Sequence, residues 1–226
     1  VQKRGFQVAH IKTDSIKIPN ATPEIIQFVM EHGKMYGYEF EHEATYERMC
    51  LVNNAVYIAK YKDGKNAGKW TATGKQFQVP YVFKKLFSKD PIVLDDLCEA
   101  KEVKTAIYLD MNENLSEGEH DYHFVGKVGN FCPILPGHGG GELVRENKAK
   151  DGSIKYDSVT GTLKPDKTPY RWLETEAVKT LGKEQYIDKS YYNKLVDDAV
   201  EAISQYGDFE RFVADEPFNI AIPGID

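Results

Sequence analysis

The sequence lacks any apolar run near the roughly 18–20 residues that a membrane-spanning helix requires, and no signal-peptide pattern follows Val1. It has only three cysteines, Cys50, Cys98 and Cys132, which are far apart and odd in number. This excludes a disulfide scaffold and a CxxC zinc site, and it is typical of the reducing cytoplasm. We therefore expect a cytoplasmic protein with no membrane partner. Because the first residue is valine, we also expect a fragment whose natural start lies upstream.

The charge of the chain is unevenly distributed. The formal net charge is −6, yet residues 1–89 contain 14 Lys and Arg against 8 Asp and Glu, and residues 90–226 contain 15 against 27. Residues 60–89 contain a single acid, Asp63, and eight lysines: Lys60, Lys62, Lys65, Lys69, Lys75, Lys84, Lys85 and Lys89. A polyanion responds to the local field, so this stretch can attract phosphates although the remainder is acidic. The alternative is a solvated lysine-rich hairpin without a partner.

Hydrophobic periodicity predicts an α+β fold with 12% aromatic residues to build its cores. In the first part, a tight hairpin over 6–12 and 15–18 precedes a helix from the cap residue Thr22 to Gly37. Strands over 38–45, 49–61 and 70–79 follow, which predicts an antiparallel sheet with one packed helix.

The character of the sequence changes past Pro80, which predicts a first region over 1–79 and a second region over 80–226. The second region is expected to combine helices with β-hairpins. Its predicted helices span 82–87, 94–104, 170–181 and 185–206, and its predicted strands span 105–111, 122–134 and 142–146. Residues 147–169 are polar and rich in turn formers, which indicates a loop or a hairpin.

The segment with most chemical information is the first hairpin, whose tip carries Asp14. Such a hairpin presents one carboxylate at a fixed place above a sheet. Phosphoryl transfer uses carboxylates of this kind to hold the divalent metals that neutralise the transferring phosphate. Aspartate is also a common turn residue, so the pattern alone leaves a purely structural role open.

The hairpin resembles motif C of the family B DNA polymerases, Y-x-D-T-D-S, and in particular that of their bacteriophage and prophage members. Thr13, Asp14 and Ser15 match its T-D-S. A helix follows, and then residues 52–58 of the predicted strand stand where the family has its K-K-x-Y motif, with Tyr57 as the tyrosine. A strand closing at Thr73-Gly74 comes next. The resemblance covers about residues 5–90 by motif order, and the stretches 124–133, 170–174 and 206–210 look similar to C-terminal segments of the same enzymes.

The resemblance implies the C-terminal part of a polymerase palm over 1–79, followed by a thumb-like region over 80–226. In the parent enzyme a primer 3′-hydroxyl would attack the α-phosphate of a dNTP. Asp14 would be the catalytic ligand of Mg²⁺ or Mn²⁺, and Lys12, Thr13 and Ser15 would form the active-site turn. Primer-template DNA would be held by the following residues: Tyr57, Asn54, Lys60, Lys62, Lys75, Lys84 and Lys85.

The sequence departs from the family pattern at several positions. His10 and Lys12 stand where motif C has its tyrosine and its first aspartate, and Asn54 and Ala55 replace the two lysines of K-K-x-Y. Motifs A and B, which belong upstream of motif C, do not occur in these 226 residues. We therefore expect the chain to be inactive alone and to require the upstream part of the same polymerase.

Other interpretations stay open or are excluded by missing partners. A non-catalytic nucleic-acid-binding module on a palm-like sheet is the main alternative, and a phage structural or scaffold protein is a third. The loop His138–Gly141 spells the HGGG of some esterases, but no G-x-S-x-G nucleophile motif accompanies it. His120 and His123 have no third ligand at zinc spacing and are expected at the surface.

Overall fold

The computed structural model describes residues 1–159 and 169–215. Within these ranges the chain is α+β with antiparallel sheets, which confirms the predicted fold class. None of the helices in the described part of the chain is both long and apolar enough to cross a membrane.

The structure contains ten strands and six α-helices within the described ranges. The strands are β1 (His10–Lys12), β2 (Ser15–Lys17), β3 (Tyr46–Leu51), β4 (Tyr57–Tyr61), β5 (Trp70–Ala72), β6 (Glu99–Asp110), β7 (Tyr122–Ile134), β8 (Glu142–Lys148), β9 (Ile154–Ser158) and β10 (Arg171–Glu174). The helices are α1 (Pro23–Met35), α2 (Lys75–Gln78), α3 (Pro80–Phe83), α4 (Thr175–Thr180), α5 (Lys189–Ser204) and α6 (Phe209–Val213).

The contacts of the chain divide it into two units. Unit 1 comprises Val1–Gln78 together with the chain from Ala202 onward, and unit 2 comprises Val79–Glu201. The sequence interpretation placed its break near Pro80 and assigned all later residues to one region. The return of the chain to unit 1 rests on specific contacts, because the buried Arg48 donates hydrogen bonds to the carbonyls of Phe212 and Ala214 at 3.0 and 2.6 Å.

Unit 1 begins with the predicted hairpin and helix, and both are confirmed. Strands β1 and β2 pair in antiparallel register, with Lys12 opposite Ser15. The Thr22 hydroxyl accepts a hydrogen bond from the amide of Ile25, and Pro23 occupies the first turn of α1. After α1, Gly37 has a φ of 81°, which is the left-handed conformation that commonly ends a helix.

The role of Thr22 as the N-cap of α1 can be tested by substitution. Replacing Thr22 by Ala removes the acceptor for one free amide of the first turn, so we expect a loss of about 1 kcal/mol in the free energy of unfolding of unit 1. Urea denaturation followed by circular dichroism measures the loss. Thr22→Ser is the matched control, because it keeps the hydroxyl oxygen and should remain close to the unmodified protein. Equal losses in both variants would contradict the capping role.

Three strand predictions in unit 1 were wrong. Residues 38–45 contain no strand, and β3 begins at Tyr46. The stretch 49–61 is a hairpin rather than one strand, because the Asn53 side chain accepts hydrogen bonds from the amides of Ala55 and Val56 and turns the chain. The strand expected over 70–79 ends at Ala72, and α2 follows. The strands also form two separate sheets, β1–β2 and β3–β4–β5.

Unit 2 is built on a five-stranded antiparallel sheet with the order β10-β7-β6-β8-β9. A cluster of buried side chains covers one part of this sheet: Ile107, Leu109, Phe131, Leu143 and Trp172. A second cluster joins β7 and β10 to α4 and α5, and its fully buried members include Cys132, Val178 and Tyr192. The predicted strands over 122–134 and 142–146 are confirmed. For 147–169 the sequence indicated a loop or a hairpin, and the structure shows a hairpin of β8 and β9. Residues 160–168 of that stretch lie outside the described residues.

Two helix predictions in unit 2 were wrong for the same reason. The helix expected over 94–104 is a short 3₁₀ turn, Leu94–Leu97, followed directly by β6. The helix expected over 170–181 is divided into β10 and α4. In both cases pairing with β7 overrides the local helix preference, since Glu99 and Glu174 both lie opposite Phe131, one on each side of it. The strand expected over 105–111 is the second half of β6, and α5 begins four residues after the predicted helix start at 185.

Candidate metal and nucleic-acid site

The turn between β1 and β2 consists of Thr13 and Asp14. Thr13 has a φ of 38°, which is unusual for a β-branched residue and is imposed by the two-residue connection. The Ser15 hydroxyl lies 3.4 Å from the carbonyl oxygen of Lys12 and closes the turn. The hairpin therefore holds the backbone of Asp14 in one place.

The Asp14 side chain is exposed at the tip of the hairpin and lines an open cavity of about 350 Å³. In the part of the chain that the structure describes, its carboxylate has no hydrogen-bond or ion-pair partner. An exposed, unpaired carboxylate keeps its lone pairs available for a cation or a donor from another molecule. The position is compatible with a ligand role and places the acid beside a cavity.

The cavity lies between the hairpin and α1, and its wall is mainly apolar and aromatic: Val1, Ile11, Ile16, Phe28, Val29, Tyr36, Tyr38 and Phe40. The remaining lining residues are Thr13, Asp14, Ser15, His32 and Gly33. Gly33 is buried on α1, and a Cβ at this position would overlap the Phe40 ring. Glycine therefore allows the segment after α1 to fold back against the helix.

Sequence reasoning missed this cavity. Tyr38 and Phe40 alternate with acidic residues, and that period of two predicted a strand over 38–45, whereas Tyr36 was assigned to the preceding helix. The structure instead uses the aromatic rings as cavity wall, with Tyr36 and Tyr38 each 66% exposed. The available signal was the density of aromatic residues next to a helix end, but it did not distinguish a strand from a cavity wall.

The described residues fit one ligand position of a metal site and not a complete site. Within 1–159 and 169–215, no three side chains of His, Cys, Asp or Glu come together as a metal-binding group. The exposed Lys12 stands two residues from Asp14 and adds a positive charge to the same hairpin. A single carboxylate cannot hold two divalent cations, so the predicted Mg²⁺ or Mn²⁺ site would need a second acid that the described residues do not bring to Asp14.

Tyr57 and Asn54 lie at the start of β4 and in the turn before it. Tyr57 is half-buried in an aromatic group with Tyr46, and the Lys17 ammonium lies 6.0 Å from the centre of each ring. Burial, followed by the hydrogen bond to Tyr57, raises the pKa of Tyr46 well above its usual value. The Asn54 side chain is exposed, and its backbone carbonyl accepts a hydrogen bond at 2.9 Å from His10 on β1.

The predicted lysines of unit 1 differ in exposure. Lys62 and Lys75 are exposed, whereas Lys60 is 8% exposed. The Lys60 ammonium lies 3.5 Å from the Asp215 carboxylate and 4.0 Å from that of Glu47. Two acids therefore balance the charge of Lys60, which reduces its attraction for an external phosphate.

The two predicted lysines of unit 2 show the same contrast. Lys85 is exposed. The Lys84 ammonium donates to the Asp96 carboxylate at 2.9 Å and to the carbonyl of Pro91 at 3.3 Å. Of the five predicted lysines, Lys62, Lys75 and Lys85 therefore combine exposure with the absence of an ion pair among the described residues.

The other motifs of the sequence have structural roles. The amide of Gly141 donates to the carbonyl of Trp172, and the amide of Trp172 donates back to Gly141. His138 stacks on Tyr186 with ring centres 3.8 Å apart, so the HGGG loop packs against the sheet end. His120 and His123 contact different carboxylates, those of Asp110 and Asp121.

The chain was compared with protein-family models, with curated proteins and with solved structures, and none of the three comparisons finds a match. The features of this chain that bear on function are therefore the hairpin motif, the cavity beside it and the exposed lysines.

Proposed function

We propose that this chain is the C-terminal palm and thumb portion of a family B-type DNA polymerase, in which Asp14 is one ligand of the catalytic metals. The observation that carries the proposal is the two-residue turn that holds Asp14, exposed and without a partner among the described residues, at the edge of an open cavity. A T-D-S sequence at a tight hairpin tip, followed by a capped helix, has the order expected of motif C and the element after it.

The contribution of this chain to the reaction is confined to its own residues. Thr13 and Ser15 shape the turn, and Asp14 supplies one carboxylate. Bound metals would supply the neutralisation of the transferring phosphate. In this family motif A supplies a second metal-binding aspartate and motif B a nucleotide-binding lysine, and both would belong to the upstream part of the same polymerase. That upstream part, primer-template DNA and a dNTP are the proposed partners.

DNA binding is assigned mainly to Lys62, Lys75 and Lys85, because these ammonium groups are exposed and have no ion pair among the described residues. Tyr57 and Asn54 complete the proposed contacts. Lys60 and Lys84 contribute less than the sequence interpretation assumed, since nearby acids balance their charges. Contacts of this kind are made to phosphates and do not depend on base sequence.

A specific observation favours the second candidate, a nucleic-acid-binding module without catalysis. The hairpin carries Lys12 where the family has its first aspartate, and Asp14 has no acidic companion in a metal-binding group within the described ranges. In that case the lysines would bind nucleic acid and Asp14 would have no metal. Titration of the intact protein with Mn²⁺, followed by electron paramagnetic resonance, separates the two candidates, because only a polymerase should lose a bound Mn²⁺ in Asp14→Asn.

The lysine assignment predicts a salt-dependent affinity for DNA. The slope of log K against log salt is negative, and each lost phosphate contact reduces its magnitude by about 0.9. Lys62→Ala, Lys75→Ala and Lys85→Ala together should therefore reduce that magnitude by about 2–3. Fluorescence anisotropy of a labelled primer-template duplex measures the affinity at several salt concentrations.

The matched control replaces three exposed lysines of the acidic stretch 90–226 by alanine: Lys150, Lys155 and Lys189. This control changes the net charge equally and should leave the slope close to that of the unmodified chain. An equal change in both triple variants would contradict the assignment. Absence of any salt-dependent affinity in the unmodified chain would favour the structural or scaffold interpretation.

A further inference from the structure

Two cysteines lie side by side in the core of unit 2. The sulfur atoms of Cys98 and Cys132 are 3.1 Å apart, and the side chains are buried, with Cys132 fully enclosed. The two cysteines are 34 positions apart in the chain, which runs along β6 and returns along β7 between them. The two thiols are therefore distant in sequence and adjacent only because the strands pair.

The register of the sheet explains the adjacency. Glu99 on β6 lies opposite Phe131 on β7, so the next position outward places Cys98 opposite Cys132. Directly opposed residues of antiparallel strands have Cα atoms about 4.5–5.5 Å apart, and disulfides join residues whose Cα atoms are about 4.4–6.8 Å apart. The backbone can thus accept a bond between these two residues without a change of register.

The surroundings of the pair shield both thiols from reagents in the folded chain. The Cys98 thiol donates to the carbonyl of Leu94 at 3.2 Å, and the Thr175 hydroxyl lies 3.7 Å from the Cys132 sulfur. Burial, followed by the hydrogen bond to Cys98, raises the pKa of the Cys132 thiol to about 12. A protonated, enclosed thiol reacts slowly because the thiolate is the nucleophile.

We propose that Cys98 and Cys132 form an intrachain disulfide whenever local opening of unit 2 exposes them to a small-molecule disulfide such as oxidised glutathione. One cysteine thiolate attacks the glutathione disulfide, and one glutathione thiolate leaves. The second cysteine, as its thiolate, attacks the mixed disulfide and displaces the other glutathione. Two S–H bonds are lost from the protein, one S–S bond forms, and one disulfide is reduced to two glutathione thiols. This inference does not depend on the polymerase proposal.

Cys50 provides an internal control. It is buried on β3 in unit 1, and no thiol of the described chain is its hydrogen-bond partner. Burial raises its pKa as well, so Cys50 matches the pair in burial and lacks only the neighbouring sulfur. Oxidation that depends on proximity should therefore select Cys98 and Cys132 and leave Cys50 as a thiol.

The test is refolding of the full 226-residue chain from urea in a mixture of oxidised and reduced glutathione. Acid quenching, alkylation and non-reducing peptide mapping then follow. We expect most chains to lose about 2 Da, the mass of the two hydrogen atoms removed by disulfide formation. The cross-linked peptide should contain Cys98 and Cys132, and Cys50 should be alkylated. In the folded chain, a urea concentration below the unfolding transition should accelerate the reaction.

Two variants keep the test decisive. Cys50→Ser should oxidise like the unmodified chain, whereas Cys98→Ser should leave Cys132 alkylated and give no intrachain cross-link. Alkylation of both Cys98 and Cys132 after oxidative refolding of the unmodified chain would overturn the proposal. A disulfide that contains Cys50, or a stable mixed disulfide with glutathione at Cys98 or Cys132, would overturn it as well.

Discussion

Under the proposed polymerase function, replacing Asp14 by Asn in the proposed longer enzyme is expected to abolish primer extension while DNA binding is retained. Asparagine has the shape of aspartate but no negative charge, so the exposed turn should fold unchanged and lose only its attraction for cations. We expect a loss of at least about 10³-fold in rate, which is about 4 kcal/mol of transition-state stabilisation. Extension of a labelled primer with Mg²⁺, and separately with Mn²⁺, measures the rate.

The matched control is Asp63→Asn, which removes the same charge from an exposed position in the β4–β5 connection. It should extend primers at close to the unmodified rate. Retained turnover in Asp14→Asn would contradict the assigned role of Asp14. Nucleotide incorporation by the isolated 226 residues would contradict the interpretation as a fragment, because these residues contain neither motif A nor motif B.

Replacing Trp172 by Ala should be among the most destabilising changes in unit 2. Trp172 on β10 is 1% exposed and packs against Ile107, Phe131 and Leu143 in the core of the sheet. Truncation of a buried large aromatic side chain removes transfer free energy and leaves a cavity, which together cost about 3–5 kcal/mol of the free energy of unfolding. Urea denaturation followed by circular dichroism measures the loss.

The control for Trp172 is Leu181→Ala, a truncation at a position that is 60% exposed just after α4. We expect its effect to stay within about 0.5 kcal/mol. A loss below about 1 kcal/mol in Trp172→Ala would contradict the packing of β10 into the core. Trp70 is the other tryptophan of the chain, so its fluorescence reports whether unit 1 remains folded in the Trp172 variant.

The elements that sequence reasoning predicted correctly are those with local signals. The β1–β2 hairpin is set by alternation around a two-residue turn, and α1 is set by the cap at Thr22 and the left-handed Gly37. The strand 122–134 is long enough for its own composition to identify it. In each case the residues that decide the structure lie within about one or two turns of the element.

The elements that it predicted wrongly depend on distant partners. Residues 99–104 contain good helix formers, yet they form the first half of β6 because this segment pairs with β7. Residues 171–174 become β10 because they pair with residues 131–134 of β7, which lie 37 to 43 positions earlier in the chain. No window of neighbouring residues contains that information, since the free energy comes from pairing and burial between segments.

The features of the candidate site likewise differ in whether neighbouring residues or tertiary contacts determine them. The identity of Asp14 as the acid at a hairpin tip could be derived from residues 8–18, and so could the basic character of residues 60–89. The cavity beside Asp14, the ion pairs that balance Lys60 and Lys84, and the contact between Cys98 and Cys132 are tertiary facts. Alone, the sequence determined the α+β class, the hairpin, the first helix and the charge asymmetry, because these follow from neighbouring residues. Only the tertiary structure decided which of the predicted lysines form ion pairs and which thiols are in contact, because both depend on segments that are distant in the sequence.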